Sequence, residues 1–306
     1  MGESLTHYIH NLDPILFSAG PITVRWYGLM YLVGYAVGYF VLLNRYKKGL
    51  LAFNSEQIQE LITYLLIGMI LGARLVYVLV YDPMNFLEHP EEIIMVWKGG
   101  LSFHGAAIGF IYAIYLYGKK TGVGFFHISD SVVLGAAQGI IWGRLGNFIN
   151  GELFGRTGDV PWAVIFPGGG DLPRHPSQLY QALGEGLCVF LLLLFVQKIE
   201  RKKGMAPLPL EQWKPEDRKQ AQKGRAVVWK RTGVLGGAFL ILYGVARFIV
   251  EFFREPDPQL GYFFGWMTMG QILCLLMIFG GGLLLHRRIR KPVPEAYPLD
   301  FSHLKS

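Results

Sequence analysis

Apolar residues in this chain come in long blocks, and polar residues collect between them. Blocks near span length fall at roughly 24–44, 58–80, 101–118, 125–146, 176–197, 233–253 and 264–286. A helix of about 20 apolar residues crosses a hydrocarbon core about 30 Å thick, and only a helix or closed barrel satisfies its own backbone groups there. The pattern predicts an all-α integral membrane protein of about seven transmembrane helices, one polytopic domain over residues 1–306. "NSEQIQEL" opens the second block with Asn54 and, three residues on, Gln57, the spacing of a capping box. The blocks show no internal repeat, which weighs against a transporter built from duplicated halves. Composition agrees: 52% of residues are hydrophobic and only 17% charged, against about 25% charged in a soluble domain.

Charge then orients the spans. "NRYKKG", "GKKTG", "QKIERKKG" and "HRRIRK" follow blocks one, three, five and seven, and alternation puts all four on one side. Lys- and Arg-rich loops face the cytoplasm, so the N-terminus is expected outside and the C-terminus in the cytoplasm. The net charge of +7 is thereby a topology signal and a contact for anionic headgroups, not a nucleic-acid footprint. Two connections are long. Residues 147–175, with "FPGGGDLPRHP", read as a small extracytoplasmic head of turns and short strands. Residues 198–232, with "LEQWKPEDRKQAQKGR", read as an exposed cytoplasmic insert without catalytic pattern. "MGESLTHYIHNLDP" lacks the basic start and apolar core of a cleavable signal. "MGESLT" fits a loose myristoylation pattern, for which a protein with many spans has little use. Cys188 and Cys274 lie in apolar blocks and read as buried small hydrophobes, with no disulfide or metal site.

With this topology, unusual polar residues from five spans reach the outer level of the membrane. They are Tyr27 in "RWYGLMY", His104 in "GGLSFHGAAIG", Arg144 and Asn147 in "GRLGNFINGELFGR", the segment "RHPSQLY", and Arg247 and Glu251 in "YGVARFIVEFFREPD". An intramembrane Arg costs at least about 2.5 kcal/mol, so it lines a cavity or has a partner. Two at one depth point to an anionic ligand, phosphate or carboxylate, with simple ion pairing as the alternative. Tyr243, Arg247, Glu251 and Arg254 form one helical stripe, in which Glu251 orients Arg247. Arg156 and Arg254 alone read as snorkelling to headgroups. His104 is a candidate base, since imidazole accepts a proton near neutral pH. His175 reads as fixing the turn into span five. Asp130 and Glu185 read as interhelical partners away from the site. No G-x-S-x-G, H-E-x-x-H or Walker pattern is present.

These blocks carry a resemblance. "GRLGNFINGELFGR" closely resembles the signature of the bacterial prolipoprotein diacylglyceryl transferases. "GGLSFHGAAIG", "RHPSQLYQ", "RFIVEFFREPD" and "RWYGLMYLVGY" match further blocks of that family, in order, from about residue 12 to 290. Two departures stand out: Ala106 follows His104-Gly105 where the family has a second Gly, and the segment around 204–228 is long. The resemblance implies a seven-span inner-membrane enzyme that moves a diacylglyceryl group from phosphatidylglycerol to the lipobox cysteine of a preprolipoprotein. It implies His104, Arg144 and Arg247 as catalytic residues, with the thiol activated either by His104 or by an Arg-assisted route, and no metal or cofactor, because the phosphodiester already activates the lipid. Tyr27, Asn147, Asn150, Glu152, Tyr243 and Glu251 are the expected substrate-binding and positioning residues. An anionic-lipid binding or transport protein without catalysis is the alternative.

Overall fold

The structure is a computed structural model, and it describes residues 7–20, 22–201, 227–229, 231–255, 262–290 and 295–297. Helices dominate: α1 (Trp26–Lys47), α2 (Ser55–Val76), α3 (Pro83–Glu88), α4 (Phe103–Thr121), α5 (Phe125–Ile149), α6 (Ser177–Gln181), α7 (Val189–Glu200), α8 (Val234–Val250) and α9 (Met269–Arg290). π-helical stretches extend α2 through Tyr77–Tyr81 and join α6 to α7 through Ala182–Cys188.

Among the described residues, six helices are long and apolar enough to cross a membrane: Trp26–Lys47, Ser55–Tyr81, Phe125–Ile149, Ser177–Glu200, Val234–Phe253 and Met269–Arg290. The seventh expected span is present as α4, a helix of 19 residues. Its His104, Tyr112, Tyr115, Tyr117, Lys119 and Lys120 leave it outside that set. The last span also begins later than its apolar run. Phe264 and Gly265 adopt φ of 54° and 78°, and the bridge between Phe263 and Met267 closes a turn ahead of α9. The insert expected over 198–232 falls largely outside the described residues.

The described residues form two compact units, one drawn from 1–41, 130–207 and 229–294, the other from 42–129, 208–228 and 295–306. In the second unit α2 packs on α4 through facing G-x-x-x-G patterns, Gly68–Gly72 and Gly105–Gly109. A Cβ on Gly72 would lie 2.8 Å from Gly109 Cα, and one on Gly68 2.7 Å from Ala113 Cβ. In lipid, helices associate by such close backbone approach. The capping box at α2 is formed: Asn54 Oδ1 accepts from the Gln57 amide at 2.9 Å, and Gln57 Oε1 from the Asn54 amide at 3.0 Å.

In the first unit α5 holds α1 by Gln138, whose Nε2 donates to the Gly34 carbonyl at 2.9 Å while Oε1 accepts from Trp142 Nε1 at 2.9 Å. Asp130, at the other end of the helix, receives the Gly233 and Gly236 amides at 2.7 and 2.8 Å. It therefore caps α8, whose orphan N–H groups need an acceptor. Residues 147–175 pair with segments on either side of them in the chain. β1 (Tyr8–Ile9) pairs in parallel with β4 (Val164–Ile165), and Gly155 bridges to Arg254. His10, Phe148, Phe154 and Phe166 pack beneath these strands. The remaining strands are a hairpin, β2 (Ile15–Ala19) and β3 (Ile22–Arg25), with β5 (Val227–Trp229) and β6 (Glu295–Tyr297). Of the two cysteines, Cys274 is buried as expected but Cys188 is exposed. An apolar side chain on a membrane helix faces lipid at no cost, so its type does not predict burial.

Candidate active site

The end of α5 builds the first wall. Gly151, at φ 66°, donates its amide to the Phe148 carbonyl, and the Glu152 amide reaches back to the Asn147 carbonyl at 3.1 Å. That is a Schellman C-cap, which requires the left-handed residue that Gly supplies. It folds Glu152 over the last turn of its own helix. There Glu152 Oε1 accepts from Asn147 Nδ2 at 2.8 Å and from Asn150 Nδ2 at 3.3 Å. Asn147 Oδ1 in turn receives Arg144 Nη1 at 3.4 Å. Glu152, Asn147 and Arg144 thus form a chain of polar groups on the final turns of α5. Tyr27, at the start of α1, packs against this turn: a Cβ on Gly146 would lie 2.9 Å from its ring. Its hydroxyl lies 3.0 Å from that of Tyr31.

The segment "RHPSQLY" closes the wall. Ser177 Oγ donates to the Leu153 carbonyl at 3.0 Å, and Gln178 Nε2 to the Glu152 carbonyl at 2.7 Å. His175 exchanges backbone bonds with Gly155 and Arg156 and holds its Nδ1 3.1 Å from the Tyr180 hydroxyl. Burial keeps this imidazole below its ordinary titration range, so it stays neutral and anchors the turn ahead of α6.

The second wall is α8. Arg247 lies between two carboxylates, with Nη1 3.3 Å from Glu185 Oε1 and Nη2 2.8 Å from Glu251 Oε2. Glu251 also receives the Thr268 hydroxyl on Oε1 at 3.1 Å and has Arg254 at 3.5 Å. The Arg247–Glu251 contact is an ion pair without hydrogen-bond alignment, since Glu251 Oε2 has no aligned donor among the described residues. Arg144, Arg247 and Glu251 all lie within electrostatic range of Glu185, so both guanidiniums share one charged cluster. Tyr243 senses Glu185, Arg247 and Arg144. Against expectation, Glu185 belongs to this cluster. Its signal was the spacing of Gln178, Gln181 and Glu185 along one face of an apolar span.

Two further readings change. Arg156 does not snorkel: Nε donates to the Arg254 carbonyl at 2.6 Å, and the guanidinium covers the Tyr262 ring. Arg254 turns back to Glu251. Backbone closure of the head recruits both. Arg74 is an intramembrane Arg that span counting overlooks. It gives Nε to the Ile93 carbonyl and Nη1 to Gly99 and Gly100 at 2.8, 2.7 and 2.9 Å, and Nη2 to the Glu92 carbonyl. Those carbonyls take four of its five N–H groups, and it pins the loop ahead of α4. His104 occupies the first turn of α4 in the second unit, exposed and without a hydrogen bond to another described residue. Among the described residues no group of His, Cys, Asp and Glu has the grouping to hold a metal ion.

The family model described as prolipoprotein diacylglyceryl transferase matches residues 14–208 and 220–287. The chain belongs to the prolipoprotein diacylglyceryl transferase family. A phosphatidylglycerol–prolipoprotein diacylglyceryl transferase of Oleidesulfovibrio alaskensis is 44% identical over 274 residues, 89% of this chain and 92% of its own. Proteins of the same name from Methylococcus capsulatus and Pseudomonas aeruginosa are 43% and 41% identical, each over 90% of this chain and 94% and 92% of theirs. The transferase family match spans both walls of the cluster and α4. It passes over residues 209–219, inside the segment that sequence reading set apart as an insert.

Proposed function

We infer that this chain transfers the diacylglyceryl group of phosphatidylglycerol to the thiol of the lipobox cysteine of a preprolipoprotein. Near full-length similarity to transferases of that name carries the reading. A carbon–sulfur bond forms, the carbon–oxygen bond to phosphate breaks, and glycerol phosphate leaves with the electron pair. The thiol proton goes to a base. Arg144 has one long side-chain bond among the described residues, so its planar fork has donors left for phosphate oxygens. Arg247, oriented by Glu185 and Glu251, is the second phosphate ligand, and both offset the charge growing on the leaving group in a low-dielectric site. Tyr27, Asn147, Asn150 and Glu152 bind the glycerol portion and position Arg144, and Tyr243 lines the Arg247 side. His104 takes the thiol proton. The protein is set in the bacterial inner membrane with its N-terminus outside, its head outside and its C-terminus cytoplasmic. Its partners are phosphatidylglycerol, preprolipoprotein signal peptides and surrounding lipid, not nucleic acid.

Purified protein mixed with phosphatidylglycerol and a lipobox peptide is expected to release glycerol phosphate and add a diacylglyceryl mass to the peptide. Lipid binding without either product would overturn the reading in favour of a non-catalytic lipid protein. His104→Ala is expected to slow turnover by about 10²–10⁴-fold with lipid affinity unchanged. Loss of affinity in parallel with rate would remove it as the base.

A further inference from the structure

Gln178, Gln181 and Glu185 form a stripe that the chemistry above does not fully use. They are spaced i, i+3 and i+7 from the start of α6 into the π-helical stretch. All are buried, at 0, 1 and 0% exposure, inside an otherwise apolar span. Both ends of the stripe have known neighbours. Gln178 reaches the Glu152 carbonyl at one end, and Glu185 meets Arg247 at the other. Gln181 lies between them on the same helical face. Gly186 brings this segment against α5: a Cβ there would lie 2.6 Å from Ile141 Cγ1.

The unpartnered atoms specify a ligand. Among the described residues, Gln178 Oε1, Gln181 Oε1, Glu185 Oε2 and Asn150 Oδ1 are buried acceptors without a donor, and Gln181 Nε2 is a buried donor without an acceptor. Buried polar atoms are normally paired, so such a group of exceptions calls for a partner that arrives from outside the chain. A phosphate brings only acceptors. It suits Arg144 and Arg247 but leaves a surplus of acceptors on this stripe. A hydroxyl both donates and accepts, as the Gln181 amide does. An ammonium would also donate, but the two guanidiniums oppose it.

We propose that Gln181, flanked by Gln178, binds a headgroup hydroxyl of the anionic phospholipid held at Arg144 and Arg247, and so selects hydroxylated headgroups. The proposal deepens the transferase reading and rests on its lipid site. A site built to hydrogen-bond a hydroxyl rejects the analogue that lacks it, because its own polar groups are then left unpaired.

The test compares phosphatidylglycerol with phosphatidylpropanol, which keeps the phosphodiester and its charge but has no headgroup hydroxyl. Affinity ratios are read by native mass spectrometry of protein from mixed nanodiscs, for wild type and for Gln181→Met, which keeps side-chain length without hydrogen bonding. Wild type is expected to prefer phosphatidylglycerol by about tenfold or more, and Gln181→Met to bring the two within about twofold by weakening phosphatidylglycerol alone. Equal affinities in wild type, a preference that survives Gln181→Met, or equal weakening of both lipids would each overturn the proposal. Gln181→Ala replaces the Met variant should that fail to insert. Turnover with a lipobox peptide is followed in parallel. An inert protein with Gln181-dependent preference supports the proposal and overturns the transferase reading. An active one whose preference ignores Gln181 does the reverse.

Discussion

Arg74 and Arg144 are both guanidiniums inside apolar helices, and their donors separate them. Arg74 gives four of its five N–H groups to main-chain carbonyls, so little remains for a ligand. Arg144 makes one bond at 3.4 Å among the described residues and keeps most of its fork. Arg144→Lys is therefore expected to lose most transferase activity although charge is kept, since an ammonium cannot match two phosphate oxygens in a plane. Near-normal turnover in correctly inserted protein would end its role as a phosphate clamp. Arg247 differs again, because two carboxylates position it. If Glu251 acts through Arg247, Glu251→Gln should cost less than Arg247→Ala, for Glu185 still holds the guanidinium. The double mutant should then be no worse than Arg247→Ala, as members of one unit are not additive. Rates of the three variants at matched membrane levels decide this, and losses that multiply would give Glu251 a separate contact with substrate.

Helices here meet through glycines, and the positions are not interchangeable. Gly280, Gly281 and Gly282 are consecutive in α9. A Cβ on Gly281 would lie 2.8 Å from Leu240 Cβ and 2.9 Å from the Gly237 carbonyl, while Gly280 and Gly282 face open space. Gly281→Ala must push α8 away, at a cost of about 1–3 kcal/mol for overpacking. Gly282→Ala meets nothing and should gain up to about 1 kcal/mol of helix propensity. Melting of the two variants in detergent should thus move in opposite directions, and equal shifts would show that α8 and α9 do not pack as described. The same logic fixes the partners of α4. Its Gly105 and Gly109 are occupied by the backbone of α2, so the signature around His104 is partly a packing motif. The family departure at Ala106 leaves both of those glycines in place.

At the scale of the whole molecule, similarity to the transferases runs through the helices and the head and skips residues 209–219. That segment lies in the polar connection after α7, far along the chain from every residue of the charged cluster. Replacing 206–226 with a short Gly/Ser linker is expected to leave diacylglyceryl transfer intact in membranes, because neither wall of the cluster draws on it. A dead but correctly inserted variant would reveal a function for the insert.

Sequence alone determined the solvent of this protein, since run length and hydrogen-bond closure in lipid leave helices as the economical solution. It also determined which α5 residues share a wall. The Schellman turn at Gly151 is local, and helical spacing aligns Arg144 with Asn147. The stripe of Arg247 and Glu251 was legible for the same reason. What the sequence could not give were pairings between distant segments. Glu185 looked remote from the site until the π-helical stretch set it against Arg247. The pairing of Tyr8 and Ile9 with Val164 and Ile165 left no mark in the sequence. Arg156 and Arg254 read as headgroup anchors until closure of the head joined them. α4 looked as apolar as the other spans, yet its tyrosines and lysines, with the glycine face it presents to α2, set it apart. Where a local signal exists, it is a polar residue in an apolar run. Only the tertiary structure assigns its partner, because the partner is chosen by which backbones can approach closely enough.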